Sequence, residues 1–188
     1  MAVKRIDIDP FLELSQSIPV LDVRSPGEYN HAHIPGAYSL PLFTDEERKI
    51  VGTTYKQQSR EDAIKIGLDF FGKKMSKMVE EAEEIVGRLA MTDGRNMNAS
   101  SRTTANEQRS SKQVIVHCWR GGMRSAGVAW LLDLYGFDVY TLVGGYTGSG
   151  KTYVLNGLEK IGEKIIDLEG LANHKGSAFG AIGQMPQP

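Results

Sequence analysis

Apolar and polar positions in this chain follow two periods: short β-branched runs, and longer stretches with apolar residues at helical spacing. Ile6–Asp9 and Pro19–Val23 read as short strands, the second a buried run that ends at Asp22 and Arg24. Asp9 followed by Pro10 predicts a helix start and a brief helix over Phe11–Ser15. Ser25-Pro26-Gly27-Glu28 has capping-box spacing with proline at the first helical position, so a second short helix is expected there. His31–Ala37 predicts a turn into a strand near Tyr38–Leu40, and from Asp45 the composition becomes polar and helical. Met75, Met78, Val79, Ala82, Ile85, Val86 and Leu89 recur at helical spacing, which predicts an amphipathic helix over Lys74–Met91 with its methionines in the core. Val114–His117 is the next strand, Ser125–Tyr135 a helix and Asp138–Val143 a strand. A helical stretch to about Ile161 and a strand candidate at Lys164–Leu168 follow.

Strands alternating with helices predict an α/β fold with a mostly parallel, five-stranded sheet flanked by helices. In such sheets ligands sit at the carboxyl ends of strands. One segment breaks the pattern. Thr92–Gln113 has no aromatic residue, almost no aliphatic one, and many Ser, Thr, Asn and Arg, so it does not repay its ordering entropy and is expected to be a flexible surface insertion.

Composition narrows the function classes. With 188 residues the chain buries one good core and part of a second. The 22 basic residues against 23 acidic ones give no bulk attraction to nucleic acid, so an RNA partner needs a local patch. Arg48 to Met78, with eight basic residues against Glu61, Asp62 and Asp69 and with Tyr55, Phe70 and Phe71 interleaved, is the best local candidate. A single cysteine makes no internal disulfide, and no apolar run has membrane-spanning length, so a cytoplasmic protein is expected.

That cysteine stands in Val114–Ser125, VIVHCWRGGMRS, where a β-branched strand runs into a glycine-bearing turn and a helix start. A core cysteine needs no such loop. The two glycines permit positive φ, Arg120 and Arg124 supply charge, and the helix N-terminus lowers a thiol pKa. Cys118 is therefore the candidate nucleophile, with Trp119, Arg120, Gly121, Gly122, Met123 and Arg124 as an anion-binding loop. Cysteine, five residues, arginine serves two chemistries: phosphate-ester hydrolysis through a phosphocysteine, and sulfur transfer through a persulfide. Acidic residues suited to proton donation are absent from the loop, which favours transfer.

Asp22-Val23-Arg24, Glu28-Tyr29, His33-Ile34-Pro35-Gly36-Ala37, the Cys118 loop and Leu142-Val143-Gly144-Gly145, in that order, resemble the rhodanese (sulfurtransferase) domain. Asp22 and Arg24 then support the loop. Two departures stand out: Ala32 replaces a usual glycine, and the loop is one residue longer than in the commonest rhodaneses. The further combination with GTTYKQQ at Gly52–Gln58, the CWRGGMRS loop, a phosphate loop at Gly145–Thr152 and DLEGLANHKGSAFG at Asp167–Gly180 resembles the tRNA 2-selenouridine synthase family. The resemblance implies sulfur-to-selenium exchange at wobble 2-thiouridine of tRNA. Selenophosphate and geranyl diphosphate are the implied co-substrates, the route passes through a geranylated intermediate, and no cofactor is tightly bound. A stand-alone sulfurtransferase or persulfide carrier and a non-catalytic RNA-binding fragment are the alternatives.

Gly145-Tyr-Thr-Gly-Ser-Gly-Lys-Thr152 matches the phosphate-loop pattern, with Gly145, Gly150, Lys151 and Thr152 as candidate anion ligands. Gly144-Gly145 has to serve both the end of the rhodanese-like domain and the start of this loop. The expected organisation is a rhodanese-like domain over 1–145, carrying the 92–113 insertion, and an incomplete P-loop segment over 146–188. In this organisation Asp138–Val143 stays in the first sheet and Lys151–Ile161 replaces a closing helix. No carboxylate strand for magnesium is identifiable beyond the loop, which weighs against nucleotide binding. His31, His33 and His174 have no credible metal spacing, so no metal is expected, and His117 is expected to pack on the other face of its strand.

Overall fold

The computed structural model describes residues 2–92 and 112–147. Five strands, β1 (Lys4–Ile6), β2 (Val20–Asp22), β3 (Tyr38–Ser39), β4 (Gln113–His117) and β5 (Asp138–Leu142), form one sheet in the order β1-β5-β4-β2-β3. Every pairing is parallel. The helices are α1 (Ile8–Leu14), α2 (Pro26–His31), α3 (Asp45–Gln57), α4 (Arg60–Gly72), α5 (Met75–Thr92) and α6 (Met123–Tyr135). The α/β expectation is met, and Asp138–Leu142 does lie in this sheet, between β1 and β4.

The sheet's two faces bury different sets. Leu21, Val114, Val116 and Val139 pack with Phe71 of α4, Met78, Val79, Ala82 and Ile85 of α5, and Val128, Ala129, Leu131 and Leu132 of α6. Val20, Ile115 and Leu142 point the other way and pack with Phe11 of α1 and Ile18. Both faces of β4 are covered, so its β-branched run is continuous rather than alternating. Val114, Ile115 and Val116 are fully buried, and such a side chain contributes about 1.5–3 kcal/mol each.

Several boundaries differ from the sequence expectation. The first strand is Lys4–Ile6, not Ile6–Asp9, because pairing with β5 fixes it: Lys4 lies opposite Tyr140 and Ile6 opposite Leu142. Asp7, not Asp9, is the N-cap of α1. Pro10 still fits the first turn, where backbone N–H groups lack intrahelical acceptors, and Asp9 there favours the helix dipole. The polar stretch after Asp45 divides into two helices. Thr44 and Glu47 cap α3 reciprocally at 3.2 and 2.8 Å, and the Ser59 hydroxyl accepts from the Asp62 N–H at 3.0 Å to start α4. The amphipathic helix runs over Met75–Thr92, with Met78 buried as expected.

Only the edges of the predicted insertion are described. Lys112 pairs with Glu83 of α5 at 2.7 Å, next to the start of β4. Gly150, Lys151, Thr152, His174 and the 148–188 stretch lie outside the described residues, and with them the expected helix over Lys151–Ile161. Among the described residues, no helix is long and apolar enough to cross a membrane, and no three His, Cys, Asp or Glu side chains group as metal ligands.

Candidate active site

Cys118 follows directly on β4, the middle strand, and is buried at the carboxyl end of the sheet. Its Sγ lies 3.3 Å from the Ser125 hydroxyl, which itself donates to the Gly122 carbonyl at 3.1 Å. Burial pushes the thiol up. The Ser125 hydroxyl and the backbone N–H groups of Ser125, Gly122 and Arg120 outweigh it and hold the thiol below its ordinary value of 9.0. Gly121 adopts φ 63°, and the chain then enters α6 at Met123, so these donors come from a left-handed turn and a helix N-terminus. Ser125 is the site residue that sequence reasoning passed over. Its signal was there: a hydroxyl in the first turn of the helix that leaves a cysteine loop.

The loop side chains separate. Arg120, Gly122 and Met123 are exposed, and Trp119 is half-buried. Arg124 does not stand open over the loop: Nη1 is 2.7 Å and Nη2 3.4 Å from the two Glu28 carboxylate oxygens, with its side chain one-quarter exposed. Glu28 also accepts from the Ser25 N–H at 3.1 Å and lies 3.2 Å from Arg48 Nε. Burial raises the Glu28 carboxyl, but Arg124, the Ser25 N–H and Arg48 together bring it down to about 2. The capping-box glutamate of α2 thus also holds the arginine of the cysteine loop.

Beneath the loop, Asp22 and Arg24 form a fully buried ion pair, with Arg24 Nη2 at 2.6 Å from Asp22 Oδ2 and 2.7 Å from the Ala32 carbonyl. Ala32 is extended at φ −168°, a conformation any residue adopts, so the usual glycine is not needed here. The Arg24 guanidinium lies 5.5 Å from the Trp119 ring centroid and 4.1 Å from that of Tyr146. His117 pairs in register with Asp22, with Nε2 at 3.7 Å from its carboxylate, and burial holds the imidazole below its ordinary pKa. It packs as a neutral ring. His33 stacks on Tyr29 with centroids 4.0 Å apart.

Gly145, the one candidate phosphate ligand among the described residues, belongs to this same site by position: Tyr146, the next residue, donates its N–H to the Cys118 carbonyl at 2.7 Å. The candidate RNA surface is half neutralised. Arg48, Lys65, Lys74 and Lys77 pair with Glu28, Asp62, Glu47 and Glu81 respectively.

Comparison with known proteins agrees with this geometry. The rhodanese-like domain family matches residues 8–151, and the tRNA 2-selenouridine synthase AAA domain matches residues 138–188, so both claim β5 and the Gly-Gly after it. The chain is 34% identical to a tRNA 2-selenouridine synthase of Bdellovibrio bacteriovorus, over all of this chain and 50% of that protein. For the enzyme of Nitrosomonas europaea the identity is 32%, over 90% of this chain and 45% of the relative. The chain therefore spans about half the length of the curated relatives it matches. Among solved structures, the N-terminal domain of a protein from Clostridium difficile 630, described as ATP/GTP binding, aligns with a TM-score of 0.59 and 32% identity over 82% of this chain and 99% of that one. A buried cysteine just past the carboxyl end of the middle strand of a parallel sheet, the matched residues 8–151 and these relatives lead to one statement: the chain belongs to the rhodanese-like domain family, on the branch whose curated relatives are tRNA 2-selenouridine synthases.

Proposed function

We propose that this chain carries the cysteine chemistry of a tRNA 2-selenouridine synthase, with Cys118 as the nucleophile. The observation that carries this reading is the ring of donors around one sulfur: a hydroxyl and three backbone N–H groups stabilise the thiolate at the carboxyl end of β4. Loop N–H groups, the exposed Arg120 and the remaining donors of Arg124 are the cradle for an anionic chalcogen donor. The reaction inferred for the site is exchange of sulfur for selenium at wobble 2-thiouridine of tRNA. Selenophosphate supplies selenium, and the thio intermediate is geranylated from geranyl diphosphate. Asp22 and Arg24 act beneath the loop, where their buried pair holds the strand end and the aromatic rings in place.

The test uses the simplest chalcogen donor, thiosulfate. The Cys118 thiolate attacks the outer sulfur, the thiosulfate S–S bond breaks, and sulfite leaves with the electron pair while a cysteine persulfide forms. Intact mass of the full chain should gain one sulfur atom, and Cys118→Ser should not. A Cys118→Ser protein that gains the same sulfur refutes the role. Persulfide formation without any exchange on thiolated tRNA in the presence of selenophosphate and geranyl diphosphate would reassign the chain as a sulfur carrier.

A further inference from the structure

Three consecutive residues of the phosphate-loop pattern are already engaged. Gly145 N–H donates to the Leu142 carbonyl at 3.1 Å, Tyr146 N–H to the Cys118 carbonyl at 2.7 Å, and Thr147 N–H to the Trp119 carbonyl at 2.9 Å. The Thr147 hydroxyl closes the turn on the Gly144 carbonyl at 2.8 Å. A phosphate cradle is built from free backbone N–H groups, and these three are spent on protein acceptors, two of them carbonyls of the nucleophile and its neighbour.

The fit is close enough to require glycine. Gly144 and Gly145 have φ of 75° and 56°, in the left-handed region. A Cβ on Gly145 would strike the Cys118 carbonyl oxygen and the Gly121 nitrogen, and one on Gly121 would lie 2.8 Å from the Leu142 carbonyl oxygen. The two turns therefore lie backbone on backbone. Side chains lock them further: the Tyr146 ring sits 5.4 Å from that of Trp119, and both face the buried Arg24.

We propose that Gly145, Tyr146 and Thr147 act as a strap that positions the Cys118 loop, and that this is the part these three positions play in this chain. The inference rests on Cys118 being the reacting thiol, as proposed above. By holding the carbonyls of Cys118 and Trp119 on one side, the strap turns the Arg120 N–H, which shares a planar peptide with the Trp119 carbonyl, to the opposite side, toward the sulfur, and sets the course of the turn that presents the Gly122 N–H. Gly145 is thus a positioning residue for the cysteine chemistry.

Because the chain has one cysteine, thiolate absorbance in the ultraviolet, followed against pH with Cys118→Ser as blank, reports this sulfur alone. Gly145→Ala in the full chain should raise the midpoint by about one unit, so that the thiolate fraction below it and the rate of sulfane uptake from thiosulfate both fall about tenfold. Circular dichroism should be unchanged. Val143→Ala, an exposed change two residues earlier, should leave both readouts as they are. Tyr146→Ala keeps the backbone donor and removes the ring, and should raise the midpoint by a smaller amount; it decides the matter if Gly145→Ala does not fold. The proposal is overturned if Gly145→Ala folds with the original midpoint, if Tyr146→Ala leaves the midpoint unmoved, or if Val143→Ala shifts it as far. A wild-type chain that takes up no sulfane sulfur, yet whose midpoint rises on Gly145→Ala, overturns the proposed function and supports the strap.

Discussion

Replacing Ser125 by alanine tests the thiolate environment at its most specific contact. The hydroxyl has one hydrogen. With the thiol protonated it donates to the Gly122 carbonyl at 3.1 Å, and when the thiolate forms it turns toward Sγ, 3.3 Å away. A hydrogen bond to a charged group contributes about 1.5–3 kcal/mol, and the neutral bond given up costs about 1 kcal/mol, leaving a net of about 0.5–2 kcal/mol, centred on about 1.3, in favour of the thiolate. That is about one pKa unit. Ser125→Ala should therefore raise the thiolate midpoint by about one unit, read by ultraviolet absorbance on the single cysteine. Stability gives a second readout. Because the folded midpoint lies below 9.0, the folded chain loses its proton first. The contribution is fully present above 9.0 and is lost as pH falls through the folded midpoint. Ser125→Ala should flatten that rise in stability with pH. An unchanged or lowered midpoint would show that the backbone N–H groups alone hold the thiolate and refute the assignment to Ser125.

Other outcomes follow from the same geometry. Glu28→Gln should remove a stability contribution that is complete above 4.5 and lost as pH falls toward about 2, at most about 3 kcal/mol; denaturant unfolding at several acid pH values measures it, and a variant with the wild-type acid profile would contradict it. Asp22→Asn leaves Arg24 charged and fully buried without its partner, so a loss of about 3–5 kcal/mol is expected in the same assay, and a loss under 1 kcal/mol would exclude a paired charge there. If α4 and α5 face RNA, changing Lys73, Lys74 and Lys77 to glutamine should weaken tRNA binding at low salt and reduce the salt slope by up to about three. Filter binding across a salt series that shows the same slope would rule this surface out.

What could be read along the chain was whatever depends on neighbours a few residues apart. The capping box of Ser25 and Glu28, the periodicity of Met75 to Leu89, the continuous apolar run of β4 and the cysteine, glycine and arginine spacing are all local, and each appears in the structure. The alternation of these elements also sufficed for a parallel α/β sheet, because parallel strands need crossover helices. Boundaries such as that of β1 escaped, since pairing with β5 sets them. The partners of the site escaped for the same reason. Glu28 and Arg124 stand 96 residues apart and meet because α2 and α6 both rise from carboxyl ends of neighbouring strands. Gly145 fits the first glycine of the phosphate-loop pattern by spacing, but spacing records which residues are present, not which carbonyl accepts each N–H. Only the position of β5 beside β4 brings Gly145 and Tyr146 into backbone contact with Cys118, because sheet order and not spacing decides which turns are neighbours.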